Sequence, residues 1–106
     1  MSHIELQNFV KRPAENRDVT IDFTPALPSG VTVSSFVTGY PKATKLSDGS
    51  DATATVIAAG SSVTSPKATV KTTAGTSGED YKLTARVNFS NSEIAEHSVI
   101  MRVEDA

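Results

Sequence analysis

Gly78-Glu79-Asp80-Tyr81-Lys82-Leu83-Thr84-Ala85-Arg86-Val87-Asn88-Phe89 is the stretch whose reading decides the fold. Tyr81, Leu83, Ala85, Val87 and Phe89 take alternate positions, and Lys82, Thr84, Arg86 and Asn88 fill the gaps. Successive side chains of a strand point to opposite faces, so this run buries one face and wets the other. A helix would need apolar residues spaced three and four apart, and the run lacks that pattern. After the polar turn Ser90-Asn91-Ser92 a second alternating run follows. Ala95, His97, Val99, Met101 and Val103 share one parity, and Glu96, Ser98, Ile100 and Arg102 share the other. Two such runs joined by a short polar turn predict an antiparallel hairpin, placed at the centre of a sheet.

Outward from this hairpin, Ala74-Gly75-Thr76-Ser77-Gly78 is turn chemistry. Tyr81 then stands where immunoglobulin-like sandwiches carry a corner tyrosine, two residues before a buried position that antibody domains fill with cysteine. Leu83 takes that position here, so the pattern predicts a tyrosine corner without the disulfide.

Residues 17–23 alternate as a strand, with Val19, Ile21 and Phe23 inward and Asp18, Thr20 and Asp22 outward. Two prolines and a glycine in residues 24–30 stop it, with Leu27 expected to close one end of the core. Residues 31–37 read as the next strand. Its parity sets Val31, Val33, Ser35 and Val37 against Thr32, Ser34 and Phe36, which leaves Phe36 on the wetter side. Gly39-Tyr40-Pro41-Lys42 reads as a turn and residues 44–46 as a short strand. Residues 52–58 read as a strand of small and β-branched residues, and residues 67–73 as a polar edge strand behind Pro66. Residues 4–10 read as an edge strand or an arm, and residues 1–10 are a candidate extended arm that docks on a neighbouring subunit. About seven strands and no helix, in one domain over residues 1–106, predict an all-β fold: an Ig-like antiparallel β-sandwich.

The chain has 106 residues, a formal net charge of −2 and no cysteine. No basic field exists to hold nucleic acid or an anionic membrane, so neither is an expected partner. The start has no basic stretch followed by an apolar core, and no apolar run approaches the ~20 residues of a membrane helix. Synthesis in a cytoplasm without secretion is the expectation.

The chemistry-bearing residue types are sparse. His3 lies near the terminus, and His97 sits on the inward parity of the last strand, where a histidine reaching to water is expected. No paired histidines or cysteines have metal-ligand spacing, and no G-x-S-x-G elbow occurs. Asp48-Gly49-Ser50-Asp51 offers fewer oxygens than calcium needs and reads as a turn. The expectation is therefore a non-enzymatic chain with no cofactor and no metal. Binding or assembly remains, and its signal is apolar residues where water should be. Phe36, Tyr40, Ile94 and Ile100 are the candidate interface residues on that ground.

The run Lys11-Arg12-Pro13-Ala14-Glu15-Asn16-Arg17-Asp18-Val19-Thr20-Ile21-Asp22-Phe23 carries a resemblance, with Gly30-Val31-Thr32-Val33-Ser34-Ser35, the turn into Tyr81-Lys82-Leu83-Thr84, and Met101-Arg102-Val103. Together they resemble the small Ig-like proteins encoded in the structural gene modules of tailed bacteriophages and prophages. The resemblance spans residues 9–104; Val19 stands where an aromatic is usual, and residues 61–66 depart from the pattern. It implies a virion component of the neck or tail region, a decoration or an adaptor between tail and fibre. Such a component would act by assembly with other virion proteins, a homo-oligomer among the possibilities. The resemblance supplies no binding residues. The alternative of a different class is an Ig-like adhesion module that recognises a cell-surface glycan.

Overall fold

A computed structural model describes residues 7–105. In chain order the strands are β1 Gln7–Lys11, β2 Arg17–Asp22, β3 Val33–Phe36, β4 Lys42–Lys45, β5 Ser62–Thr64, β6 Lys67–Thr72, β7 Asp80–Phe89 and β8 Ile94–Val103. A 3-10 turn, Thr24–Ala26, follows β2, and a single helical turn, α1, covers Thr53–Val56. One sheet runs β1-β8-β7-β3, with β4 pairing β7 farther along the same edge as β3. The other runs β2-β6-β5. Their inner faces close on one core, so the fold is an all-β sandwich.

The hairpin sits where the alternation places it. Tyr81, Leu83, Ala85, Val87 and Phe89 are all buried, and the residues between them are partly exposed. Register pairs inward residue with inward residue, Tyr81 with Met101 and Leu83 with Val99. Across the core Phe23 meets Phe89 edge to face, with ring centroids 6.4 Å apart. Leu27 packs against the same core, as its position after the proline-rich stop suggests.

The tyrosine corner is present. The backbone N–H of Thr76 donates to the Tyr81 hydroxyl at 2.9 Å, which ties the turn before β7 to the strand itself. A net hydrogen bond of this kind contributes about 1 kcal/mol. Tyr81→Phe is expected to keep the fold and lower the melting temperature by about 4–8 °C. An unchanged melt would show that the corner bond adds nothing to stability.

The crossover from β1 in one sheet to β2 in the other explains the Lys11-Arg12-Pro13-Ala14-Glu15 run. Glu15 closes a turn by donating its N–H to the Arg12 carbonyl at 3.0 Å and accepting the Arg12 N–H on Oε1 at 2.8 Å. Lys11 is buried. Its ammonium donates to the carbonyls of Arg12 and Pro13 at 2.8 and 3.5 Å, and to that of Ala74 on the turn before the tyrosine corner. Burial pushes the Lys11 amine below its usual value, against a smaller opposing pull from Glu15.

Four expectations are corrected. Residues 52–58 are not a strand: Asp51 and Ile57 make single bridges, and α1 lies between them. The Asp51 carboxylate accepts both the N–H and the hydroxyl of Thr53, and Thr53 Oγ1 accepts the Ala43 N–H at 3.0 Å. This local hydrogen bonding turns the chain as it leaves one sheet for the other. Strand β6 is central rather than an edge, because β5 pairs on its far side. Its polar residues Lys67, Thr69 and Lys71 mark a solvent-facing side, while Ala68, Val70 and Thr72 are buried.

Phe36 does not lie on the outer side. An irregularity between Val33 and Ser35 shifts the parity, so Phe36 pairs with the buried Val87 and packs against the core. His97 does not reach to water; it is buried, edge to face with Phe23 at 6.3 Å between centroids. Among the described residues the strands number eight: β1 and β5 join the expected set and residues 52–58 leave it. The arm expected over residues 1–10 is in part β1, an edge strand parallel to β8; residues 1–6 lie outside the described residues.

Three aspartates share one device. Asp22, Asp48 and Asp51 each accept an N–H and a hydroxyl from the residue two positions on, Thr24, Ser50 and Thr53. The hydroxyl bond first and the backbone bond second hold each carboxyl below its ordinary value of 3.8. A depressed folded value means the unfolded chain binds protons first as pH falls. The stabilisation is therefore complete above the ordinary aspartate value and is lost as pH drops through the folded values. Melting temperature is expected to be level from neutral pH to about 5 and to fall below about 4. A melt independent of pH down to about 2 would contradict these bonds.

Candidate interface on the outer face of the five-stranded sheet

The residues between the inward ones on β7 and β8 face away from the core and form cross-strand pairs. Asp80 opposes Arg102, Lys82 opposes Ile100, Thr84 opposes Ser98, Arg86 opposes Glu96 and Asn88 opposes Ile94. Arg102 reaches Asp80 at 3.3 Å, the Thr84 and Ser98 hydroxyls bond at 3.0 Å, and Arg86 meets Glu96 through Nη2 at 2.6 Å. The Glu96 bond raises the Arg86 guanidinium further above its already high value, and Asp80 does the same for Arg102. Water and salt screen pairs this exposed, so the ladder contributes more to surface pattern than to folding.

Neighbouring strands extend the face. In β1, Phe9 packs inward opposite Met101, which turns Val10 outward beside Arg102. Lys42 and Thr44 of β4 lie beside Thr84 and Lys82. One step past β4, Leu46 donates its N–H to the Asp80 carbonyl at 2.9 Å and keeps the outward parity. Tyr40 lies against the same face, its ring 4.5 Å from the Arg86 guanidinium carbon and 4.8 Å from the Lys42 ammonium.

Among the described residues this face holds the large apolar side chains that the rest of the surface avoids. Val10, Leu46 and Ile94 are 57 %, 47 % and 59 % exposed, and all three lie here, with Ile100 half-buried between them. The outer face of the three-stranded sheet is its opposite. There Asp18, Thr20 and Asp22 of β2 meet Lys71, Thr69 and Lys67 of β6, beside Ser62 and Thr64 of β5. Lys71 pairs with Asp18 at 3.3 Å, and among the described residues no large apolar side chain interrupts this polar surface. Exposed apolar side chains on one face of a sandwich, interleaved with charged and hydroxyl pairs, give that face the mixed character of a protein–protein surface.

Of the four residues singled out by sequence, Tyr40, Ile94 and Ile100 come together on this face and Phe36 does not. Val10 and Leu46 were missed. Their signal was parity: Val10 follows an inward Phe9, and Leu46 continues the outward side of Lys42 and Thr44. A shallow cleft of about 280 Å³ at the β1–β2 crossover is lined by Val10, Lys11, Arg12, Glu15, Arg17 and Glu104. Among the described residues no helix is long and apolar enough to cross a membrane.

No curated protein and no solved structure shows a significant match to the chain. A family model described as "Podophage GP4 fiber-tail adaptor protein gp77" matches residues 11–102. The matched span begins at Lys11 of the crossover turn, takes in both strands of the central hairpin and ends at Arg102 of the outer ladder. The chain belongs to the family of the podophage GP4 fibre-tail adaptor protein gp77.

Proposed function

We propose that the chain is a non-enzymatic structural adaptor of a bacteriophage virion, which links fibre to tail by protein–protein assembly. In this reading it is made in the host cytoplasm and resides in the particle, and its partners are other virion proteins. The sandwich is immunoglobulin-like: the order β2-β6-β5 against β3-β7-β8 corresponds to strands B-E-D against C-F-G of that fold, with β1 beside the last strand. The tyrosine corner supports the same assignment. The outer face of the five-stranded sheet is the assembly surface. The observation that carries this is the confinement of Val10, Leu46 and Ile94 to that one face.

The test is co-purification of the chain with the fibre and tail proteins of its phage. Wild-type protein is expected to capture at least one of them. Leu46→Asp with Ile94→Asp is expected to melt within a few degrees of wild type, since both side chains are exposed, and to lose about ten-fold or more in apparent affinity. Capture unaffected by both substitutions would remove this face from the assembly. Capture of neither protein by the wild type would overturn the adaptor reading.

A further inference from the structure

The outer face is complementary to itself. Across four strands one row reads Leu46, Asp80, Arg102, Val10: apolar, acid, base, apolar. A two-fold axis lying in the plane of contact, along the strands and between β7 and β8, lays this row on its own reverse. Leu46 then faces Val10 of the second copy, and Asp80 faces Arg102. The same operation sets Arg86 against Glu96, Thr84 against Ser98 and the Lys82 stem against Ile100, because these pairs already straddle the axis within one chain. No two like charges of the ladder are opposed. The same operation on the three-stranded sheet also opposes unlike charges, Asp18 to Lys71 and Asp22 to Lys67, but that outer face offers a partner only polar and charged groups and no apolar contact.

We infer that the occupant of the outer face is a second copy of this chain, packed sheet to sheet as a two-fold dimer. This deepens the assembly surface proposed above and depends on it. Sheets that pack face to face keep their strands within about 30° of each other, which the axis along β7 and β8 satisfies. Strands about 4.8 Å apart with a rise of about 3.4 Å per residue, ten residues in each of β7 and β8, five in β1 and four in each of β3 and β4, give a face of about 540 Å². That is about 1,100 Å² over two copies, just above the ~1,000 Å² that a specific interface must clear. A C2 contact is isologous, so every residue on the face must suit its own mirror position. The charged pairs, the hydroxyl pair and the apolar ends of the row meet that condition, and Ile94 lies against Asn88.

A charge swap tests the symmetry itself. Arg86→Glu makes position 86 acidic opposite Glu96, and Glu96→Arg makes position 96 basic opposite Arg86. Each variant opposes like charges in its own dimer, while a mixture of the two opposes unlike charges at both positions. Mass is read by light scattering from about 1 to about 100 μM, with thermal melts to show that each variant is folded. The expected result is a wild-type species of twice 11.1 kDa. Each single variant is expected to dissociate at concentrations at least about ten-fold higher, and the equimolar mixture to recover the dimer. A wild type that stays monomeric throughout, or a mixture that does not recover association, overturns the two-fold pairing. The adaptor reading is separable. A monomer that still captures fibre or tail protein through this face keeps the adaptor and gives the face to that protein. A dimer that captures neither keeps the pairing and removes the adaptor.

Discussion

Gly75→Val is expected to abolish or nearly abolish folding at 25 °C, the largest single-residue effect in the chain. Gly75 has φ +103°, a region that side chains other than glycine rarely adopt. A Cβ there would also lie 2.8 Å from Val103 Cγ2, closer than real Cβ atoms approach. The backbone strain is about 1–3 kcal/mol and the overpacking about the same again. Small domains have about 5–15 kcal/mol in all, so the sum takes much or all of the stability. Gly30 separates the two effects. It has φ +77° with nothing within 4 Å of a built Cβ, so Gly30→Ala should show the strain alone, about 1 kcal/mol. Urea titration by circular dichroism measures both. A Gly75→Val protein as stable as Gly30→Ala would mean that the turn does not pack on Val103 as described.

The second large effect is expected at Lys11. Lys11→Ala removes the donor that joins the crossover turn to the Ala74 carbonyl and empties a buried stem site beneath it. A hydrogen bond made by a charged group contributes about 1.5–3 kcal/mol, and the lost packing of the buried stem adds to it, for a total of about 3 kcal/mol. Lys11→Met keeps most of the stem and should recover about half of that loss. Equal stability of all three proteins would show that the ammonium is not tied to the two turns. The linkage makes the Lys11-to-Glu15 run a structural device: it pins the entry to β2 onto the turn that precedes the tyrosine corner.

The strands that carry the fold were legible because one physical signal governed them. Along β7 every inward residue is apolar and every outward one polar, and a strand half-buried in a sandwich needs nothing else. Failures came where a second influence overrode alternation. Residues 53–56 are β-branched and small, yet Asp51 and Thr53 bond locally and wind them into a turn; the Asp-x-Thr spacing was the legible sign. At Phe36 a bulge of one residue reversed the faces, and nothing in Val33-Ser34-Ser35-Phe36 announces it. Strand β6 looked like an edge because polarity on one face reads the same as polarity at an edge. The short β5 has three residues, too few for a period to show.

The candidate face was half legible for the same reason. Ile100 stood out because an apolar residue on the polar parity of a clean strand is conspicuous, and Ile94 because it stands at the strand end beside a polar turn. Val10 lies near a strand end and Leu46 just past one, so their outward parity shows only once the inward Phe9 and the outward Lys42 and Thr44 are placed. Only the pairing of β1 and β4 on either side of the hairpin brings all of them to one surface.

The most direct measurement of the adaptor reading is the number of fibres per particle, counted by electron microscopy on virions assembled without this chain. Such particles are expected to lack fibres, to regain them when the purified wild-type protein is added, and to stay bare with the Leu46→Asp, Ile94→Asp protein. Particles that carry their full set of fibres without the chain would contradict the account at its centre.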